Sequence, residues 1–185
     1  SGNYFTQDGT IIGPSFKRYQ LRVNTEFQKG ILKVGENVML SRNQTTNING
    51  TPFVEILRML PTIPVYDPTT SSGYGYGGGA NLNNTFGTNP VALQEHNSSR
   101  TTNSKVFGSV FAEVAIAKFL TYRLNLGLDY SQQYTKSFQR RGAIRQNAPD
   151  NQTTLDDYQA EYFNTLIENT LRYNQTFGQH SLSAL

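Results

Sequence analysis

The 185-residue chain is 36% hydrophobic and 16% charged, with a net charge of +3 and no cysteine. Soluble domains run to about 45–50% apolar and about 25% charged residues, so both classes are thin here, yet aromatics reach 12%. These values exclude charge-rich disorder, heptad coiled coils, membrane-crossing helices of about 20 apolar residues, disulfide scaffolds and thiol catalysis.

In chain order, the dominant pattern is alternation with a period of two, the signature of a strand with one apolar face. A short piece at 3–6 reads as a cut strand. Over 16–27, Tyr19, Leu21, Val23 and Phe27 share one face, with Gln20, Arg22, Asn24 and Glu26 opposite. Over 31–42 the stripe is Leu32, Val34, Val38 and Leu40, broken by Glu36, and a bulge near Gly35 is expected to turn that acid away. Over 105–118 the even set Val106, Gly108, Val110, Ala112, Val114 and Ile116 is apolar, with Ser109 and Glu113 opposite. The clearest case lies within 121–138. Tyr122, Leu124, Leu126, Leu128 and Tyr130 alternate with Arg123, Asn125, Gly127 and Asp129. Over 160–177, Phe163, Ile167, Leu171, Tyr173 and Phe177 oppose Asn164, Glu168, Thr170, Arg172 and Asn174, and 181–185 reads as a further cut strand.

The connections alternate too. Tight links fall at Gln28–Gly30, Lys118–Thr121 and Gly178–His180, and long ones at 43–104 and 139–159. That places all tight turns on one edge and all long loops on the other, the layout of a transmembrane β-barrel. Strand length agrees with about 9–11 residues for a tilted membrane strand. Aromatics near strand ends (Tyr19, Phe27, Phe119, Tyr122, Tyr130, Tyr134, Tyr173, Phe177) suit interfacial girdles. A soluble sandwich shares the alternation, so a β-sandwich binding or adhesion module on a bacterial surface stays open as the alternative.

The first long loop holds one predicted helix from Pro52 to Leu60, with Thr51 as N-cap, Pro52 at the first position and Pro61 ending it. Proline-restricted extended chain follows over 61–68, and then a glycine-rich run over 71–80. The run lacks the Gly-Lys-Ser/Thr ending of a phosphate loop, so it reads as a surface loop. Tyr66, Tyr74 and Tyr76 there are candidate ligand contacts, because tyrosine rings stack on sugars and other flat groups. His96 and His180 fall in different loops on opposite edges and read as surface residues, which leaves no two-histidine metal site. Asp156 and Asp157 read as solvated loop charges. No Gly-x-Ser-x-Gly elbow occurs, basic residues are dispersed rather than clustered as nucleic acid requires, and no cofactor motif is present. The expectation is a protein without catalytic residues or cofactor. The constellation that matters is the polar stripe of Arg22, Asn24, Glu26, Glu113, Arg123, Asn125, Asp129, Glu168 and Arg172, which on a barrel wall lines the lumen.

Several ordered segments carry a family resemblance. Tyr4 to Ile12, Phe16 to Thr25, Leu32 to Val38, Leu57 to Asp67, Asn89 to Leu93, Leu126 to Tyr130 and Asn169 to Gly178 together resemble the barrel of SusC/RagA-type TonB-linked outer-membrane transporters of Bacteroidetes. The resemblance implies an all-β, antiparallel up-and-down meander, part of a barrel of about 22 strands, with a short helix in a long extracellular loop. It also implies residence in the bacterial outer membrane and contact with its lipid. The implied work is uptake of glycan or peptide substrates, powered through TonB and capped by a SusD-like surface lipoprotein. No plug domain or TonB box is recognisable within 1–185, so the chain is expected to be a barrel fragment.

Overall fold

The computed structural model describes residues 1–77, 87–148 and 152–185. They form one antiparallel sheet of seven strands, each hydrogen-bonded to its neighbours in sequence. The strands are β1 (Gly2–Asp8), β2 (Ser15–Lys29), β3 (Leu32–Thr46), β4 (Asn97–Ala117), β5 (Leu120–Gln139), β6 (Thr154–Phe177) and β7 (His180–Ala184). Two short helices, α1 (Pro52–Arg58) and α2 (Pro90–Glu95), sit between β3 and β4. The fold is an all-β up-and-down meander with β1 and β7 as its edges. Among the described residues no second sheet covers either face, as a sandwich would require.

Tight turns on one edge fall at Gly30, Lys118–Phe119 and Gly178. Gly30 and Gly178 adopt φ of 59° and 61°, the left-handed region that only glycine enters without strain. The other edge carries the loop 9–14 and the described parts of two long loops, 47–77 with 87–96 and 140–148 with 152–153. Both long loops are shorter than the sequence pattern suggests, because the strands run on past their apolar stripes. β4 starts at Asn97 rather than near 105, and its Ser/Thr-rich extension pairs with β3 and β5. Ser99 meets the Ser137 hydroxyl at 3.1 Å, Thr101 meets Thr135 at 3.0 Å, and Asn47 donates to Ser99 and Thr101. Hydroxyl ladders of this kind stabilise cross-strand pairs without any alternation of polarity. Asp156 and Asp157, expected in a loop, lie in β6 for the same reason.

Register decides the two faces. Residues opposite one another across the ladder share a face, and five successive rows define the apolar one. They run Leu21–Leu40–Val106–Tyr130–Phe163, Val23–Val38–Gly108–Leu128–Thr165, Thr25–Glu36–Val110–Leu126–Ile167, Phe27–Val34–Ala112–Leu124–Asn169 and Lys29–Leu32–Val114–Tyr122–Leu171. The next row toward the long loops, Tyr19–Arg42–Ser104–Gln132–Glu161, is polar. The apolar band therefore ends abruptly, after about 27 Å along the strands at about 3.4 Å per residue. Aromatics cluster at its limits. Tyr4 and Tyr19 rings lie 5.0 Å apart at the loop side, and Phe119 and Tyr173 lie 5.5 Å apart at the turn side.

Glu36 corrects one expectation. Pairing runs unbroken through Gly35 on both sides, so no bulge turns the acid away, and it stays in the central row with Thr25 donating to it at 3.0 Å. The cause lies on the opposite face, where the Phe111 ring covers Gly35. A Cβ there would come within 2.6 Å of that ring, so the chain has no room to exchange faces. The one register shift in these ladders falls instead between Ala115 and Ala117 and takes Ile116 out of its expected stripe.

The buried hydrophobic residues among those described are Ala92 and Ala143, both in the loops. Within the sheet no apolar-row residue is buried: Val38 and Leu124 are half-buried, and Phe163 and Ile167 are 68% and 69% exposed. The sheet has no core of its own.

Candidate functional site

The loops on the long-loop edge fold into a cap. Helix α1 starts at Pro52 as expected, with Thr51 at its N-cap, although the threonine side chain makes no capping bond. It stops at Arg58, before Pro61, because Met59 turns to extended geometry while its N–H still bonds back to the Glu55 carbonyl. The buried Glu55 pairs with Arg58 at 3.2 Å and accepts from the Thr88 N–H.

Helix α2 was not anticipated, although Asn89-Pro90 is a capping signal in plain sight. Asn89 is 1% exposed and every polar atom of its side chain is used. Its Oδ1 accepts from the Val91 and Ala92 N–H groups at 3.1 Å, and its Nδ2 donates to the Val65 and Gly75 carbonyls at 2.8 Å. Its own N–H donates to the Ile144 carbonyl at 3.0 Å. One residue thus ties α2, the extended segment after α1 and the second long loop together. Further ties to that loop come from the Ser72 hydroxyl, which donates to the Ala143 carbonyl, and from a Thr88–Arg145 bridge. His96 is buried, not on the surface as expected, with Nε2 at 3.1 Å from the Arg140 carbonyl. His180 is exposed at the start of β7, so the two histidines remain apart.

Tyr66 and Tyr74 come together on this cap. An isolated bridge pairs their backbones, their ring centres lie 5.5 Å apart at 40°, and both hydroxyls donate to Glu95 Oε2 at 3.1 Å. Tyr74 also presses edge-on against His96 at 5.8 Å. The hydrogen bond to Glu95 is the main reason the Tyr66 hydroxyl titrates above its ordinary value. For Tyr74 burial comes first and Glu95 second, partly offset by Arg140. Asp67 goes the other way, held below the usual carboxylate range by the Thr69 hydroxyl and N–H. Tyr76 makes no ring contact with either tyrosine among the described residues. Part of the glycine-rich run, 78–80, lies outside them. Glu95 was missed as a partner because nothing in its own neighbourhood of sequence marks it; the backbone pairing of Tyr66 with Tyr74 aims both hydroxyls at it.

On the sheet, the nine polar residues singled out from the sequence all fall on the face opposite the apolar rows. The ladder links Arg22 through Met39 and Phe107 to Asp129, Asn24 through Asn37 and Ser109 to Gly127, and Glu26 through Gly35, Phe111 and Asn125 to Glu168. Glu113 faces Arg123, and Arg172 faces Thr121. Their charges pair locally: Lys33 with Glu26 at 2.9 Å, Lys105 with Asp129 at 2.9 Å, and Arg123 with Glu113 at 3.7 Å. Asn125 donates to Glu168 at 2.9 Å. Strict alternation overlooks the aromatics on this face. The Arg123 guanidinium sits 4.1 Å from the Phe111 ring centre, Lys105 lies 5.3 Å from Phe107, and Arg18 lies 5.6 Å from Phe5. No cluster of metal-ligating side chains occurs among the described residues.

An antiparallel meander with a band of apolar rows on one face, charge pairs on the other and a folded loop cap on one edge is the kind of unit from which barrel walls are built. A relative of known class agrees in coarse terms. The chain is 24% identical over 199 residues to the TonB-dependent receptor P3 of Formosa agariphila, an alignment that covers all of this chain and 19% of that protein. No family model matches. The similarity supports a distant relationship to a TonB-dependent receptor, and the chain spans about a fifth of that receptor's length.

Proposed function

We propose that this chain is a wall-and-loop segment of an outer-membrane, TonB-linked importer of the SusC/RagA type, carrying oligosaccharide or peptide cargo. The apolar rows face lipid, and Arg22, Asn24, Glu26, Glu113, Arg123, Asn125, Asp129, Glu168 and Arg172 face the lumen. The cap of 47–77, 87–96 and 140–148 lies on the outer surface, where a SusD-like lipoprotein sits over the barrel, and TonB acts on the whole protein from the other side. In this reading the segment has no catalytic step.

The observation that carries the reading is the apolar band itself. Its five rows span about 27 Å along the strands, or about 21 Å along the membrane normal at a barrel tilt of about 40°, close to a lipid-facing belt about 25 Å tall, and they end at one register row across β2 to β6. A two-sheet sandwich would bury those rows, whereas here Phe163 and Ile167 stand bare. The strands outrun the belt: 20 residues of β5 extend about 66 Å, so their Ser/Thr-rich ends project beyond the membrane and carry the cap.

Spin labels on cysteines placed one at a time from Leu124 to Asp129 test this in outer-membrane vesicles, in the complete polypeptide. Labels at 124, 126 and 128 should collide with dissolved oxygen, and labels at 125, 127 and 129 with a water-soluble nickel chelate. Loss of the two-residue alternation, or its inversion, would overturn the reading.

A further inference from the structure

We propose that Tyr66, Tyr74 and Glu95 form a binding site on the cap for a primary ammonium group, as carried by a lysine side chain, a peptide N-terminus or an amino sugar. Three features converge there. Glu95 stands at the last position of α2, whose last turn holds no basic residue, and helix C-termini favour cations over acids. The acid is therefore on the electrostatically wrong end of its helix, and a bound cation would complement both the carboxylate and the helix terminus. Secondly, Glu95 makes no ion pair within 4.0 Å among the described residues, in contrast to Glu26, Glu55, Glu113 and Asp129. Both tyrosine hydroxyls converge on Oε2, which fixes the carboxylate while Oε1 accepts no hydrogen bond from a described residue. Thirdly, Tyr66 is 59% exposed and its ring is tethered to Glu95 through its hydroxyl, and an aromatic π-face attracts an ammonium ion.

The supporting geometry is rigid. Tyr66 and Tyr74 are held by backbone pairing, the Tyr74 ring is backed by buried His96, and α2 is anchored by Asn89. Both hydroxyls titrate above their ordinary value, so they keep donating to Glu95 at neutral pH. Arg140, whose charge reaches Tyr74, forms no ion pair with Glu95 among the described residues and leaves the carboxylate open. An ammonium ion brings three donors and no acceptor, enough for Oε1 and a phenolic oxygen together. A neutral sugar would leave the charge uncompensated. The role of the site as a cargo selector rests on the importer reading above; binding itself depends on the cap.

The test uses the complete polypeptide purified in detergent, titrated calorimetrically with four probes: trilysine, the glucosamine trimer, the N-acetylglucosamine trimer and triglutamate. Trilysine and the glucosamine trimer separate peptide from amino-sugar sources of the same group, and saturable binding of either supports the site. Glu95→Gln should weaken that binding roughly 10- to 100-fold, the range of a hydrogen bond to a charged group. Tyr66→Leu removes the ring face, leaves the Tyr74 bond in place and should weaken it about 2- to 5-fold. Glu161→Gln, a carboxylate on the outer face of β6, should leave it unchanged. Equal binding of the acetylated trimer or of triglutamate, unchanged binding by Glu95→Gln, or no binding of either amine would overturn the proposal. The spin-label alternation in the sheet is independent of these outcomes, so failure of the site and failure of the wall reading are distinguishable.

Discussion

Replacing Asn89 by alanine should unlock the cap without unfolding the sheet. The side chain caps α2 by accepting from two N–H groups, and its amide donates to two carbonyls on other segments. Loss of an Asn N-cap costs about 1 kcal/mol. The Val65 and Gly75 carbonyls would also lose a donor inside a site where Asn89 itself is 1% exposed, and each unsatisfied buried group costs about 1–3 kcal/mol. Taking the low end for both, because each carbonyl sits on a loop that water can reach once the site loosens, the sum is about 3 kcal/mol. At about 1.4 kcal/mol per factor of ten, amide exchange in α2 and over 65–75 should quicken roughly 100-fold. Exchange in the paired centre of β4 and β5 should not change. Hydrogen exchange followed by mass spectrometry reads both regions in one experiment. A change below about threefold in the cap would refute the reasoning, and so would equal acceleration in the sheet, which would make cap and wall a single cooperative unit. Asn89→Asp provides a second reading: it keeps the two capping acceptors, loses both donations, and should fall between the native chain and alanine.

Other expectations follow from the two faces and the tyrosine pair. Glu36→Leu should stabilise the protein in a bilayer by about 1–2 kcal/mol, since a charged side chain on a lipid-facing row is unfavourable at depth. Urea unfolding from lipid vesicles measures this, and a loss of stability would place that face in water. Gly35→Ala should destabilise by about 1–3 kcal/mol through overpacking, because its Cβ meets Phe111 at 2.6 Å and the Thr25 carbonyl at 2.9 Å; Phe111→Leu in the same chain should recover part of the loss. In alkaline titration followed by tyrosinate absorbance, Tyr66 and Tyr74 should ionise above the ordinary tyrosine range. With raised values, their hydrogen bonds to Glu95 are fully present below about pH 10, the ordinary tyrosine range, and disappear as pH climbs through the raised values. In Glu95→Gln the Tyr66 titration should return most of the way to normal, while Tyr74 keeps the part that burial imposes.

Much of the sheet was legible because alternation is a local property of sequence. Tyr122 to Tyr130 announces both faces of β5 without reference to any other strand, and all nine polar residues chosen on that basis share one face. The pattern fell silent where polarity stopped alternating. Ser98 to Ser104 carries polar residues on both faces and pairs with Thr135 and Ser137 through hydroxyls on one of them, so the strands outrun their predicted ends. Glu36 went wrong for a non-local reason: the residue that pins its register is Phe111, far along the chain and on the opposite face. In the loops, Thr51-Pro52 and Asn89-Pro90 carry the same kind of capping signal, but the apolar run behind the second is shorter and marks a helix less clearly. The Tyr66–Tyr74–Glu95 arrangement was half visible as exposed aromatics. Its acid is supplied by a helix end that reaches the tyrosines only through the cap's own folding.

The placement of stabilising contacts distinguishes cap from wall. On the polar face each ion pair joins close neighbours and stays partly exposed, so each contributes about 0–1 kcal/mol. On the apolar face, burial is limited to contacts between neighbouring strands, because the rows touch no second layer. Cross-strand hydrogen bonds therefore hold the wall together, and such bonds are strong only where water is excluded. The edges β1 and β7 also present unpaired backbone groups that call for further strands. The cap differs: Ala92, Ala143, Asn89, Glu55 and His96 are buried within it, and its bonds close on themselves. Wall and cap should then respond differently to solvent. Moving the protein from bilayer to detergent or buffer should loosen exchange protection across β2 to β6 while that of α2 and 65–75 stays nearly constant. A wall equally protected in plain buffer would mean that something other than lipid covers the apolar rows.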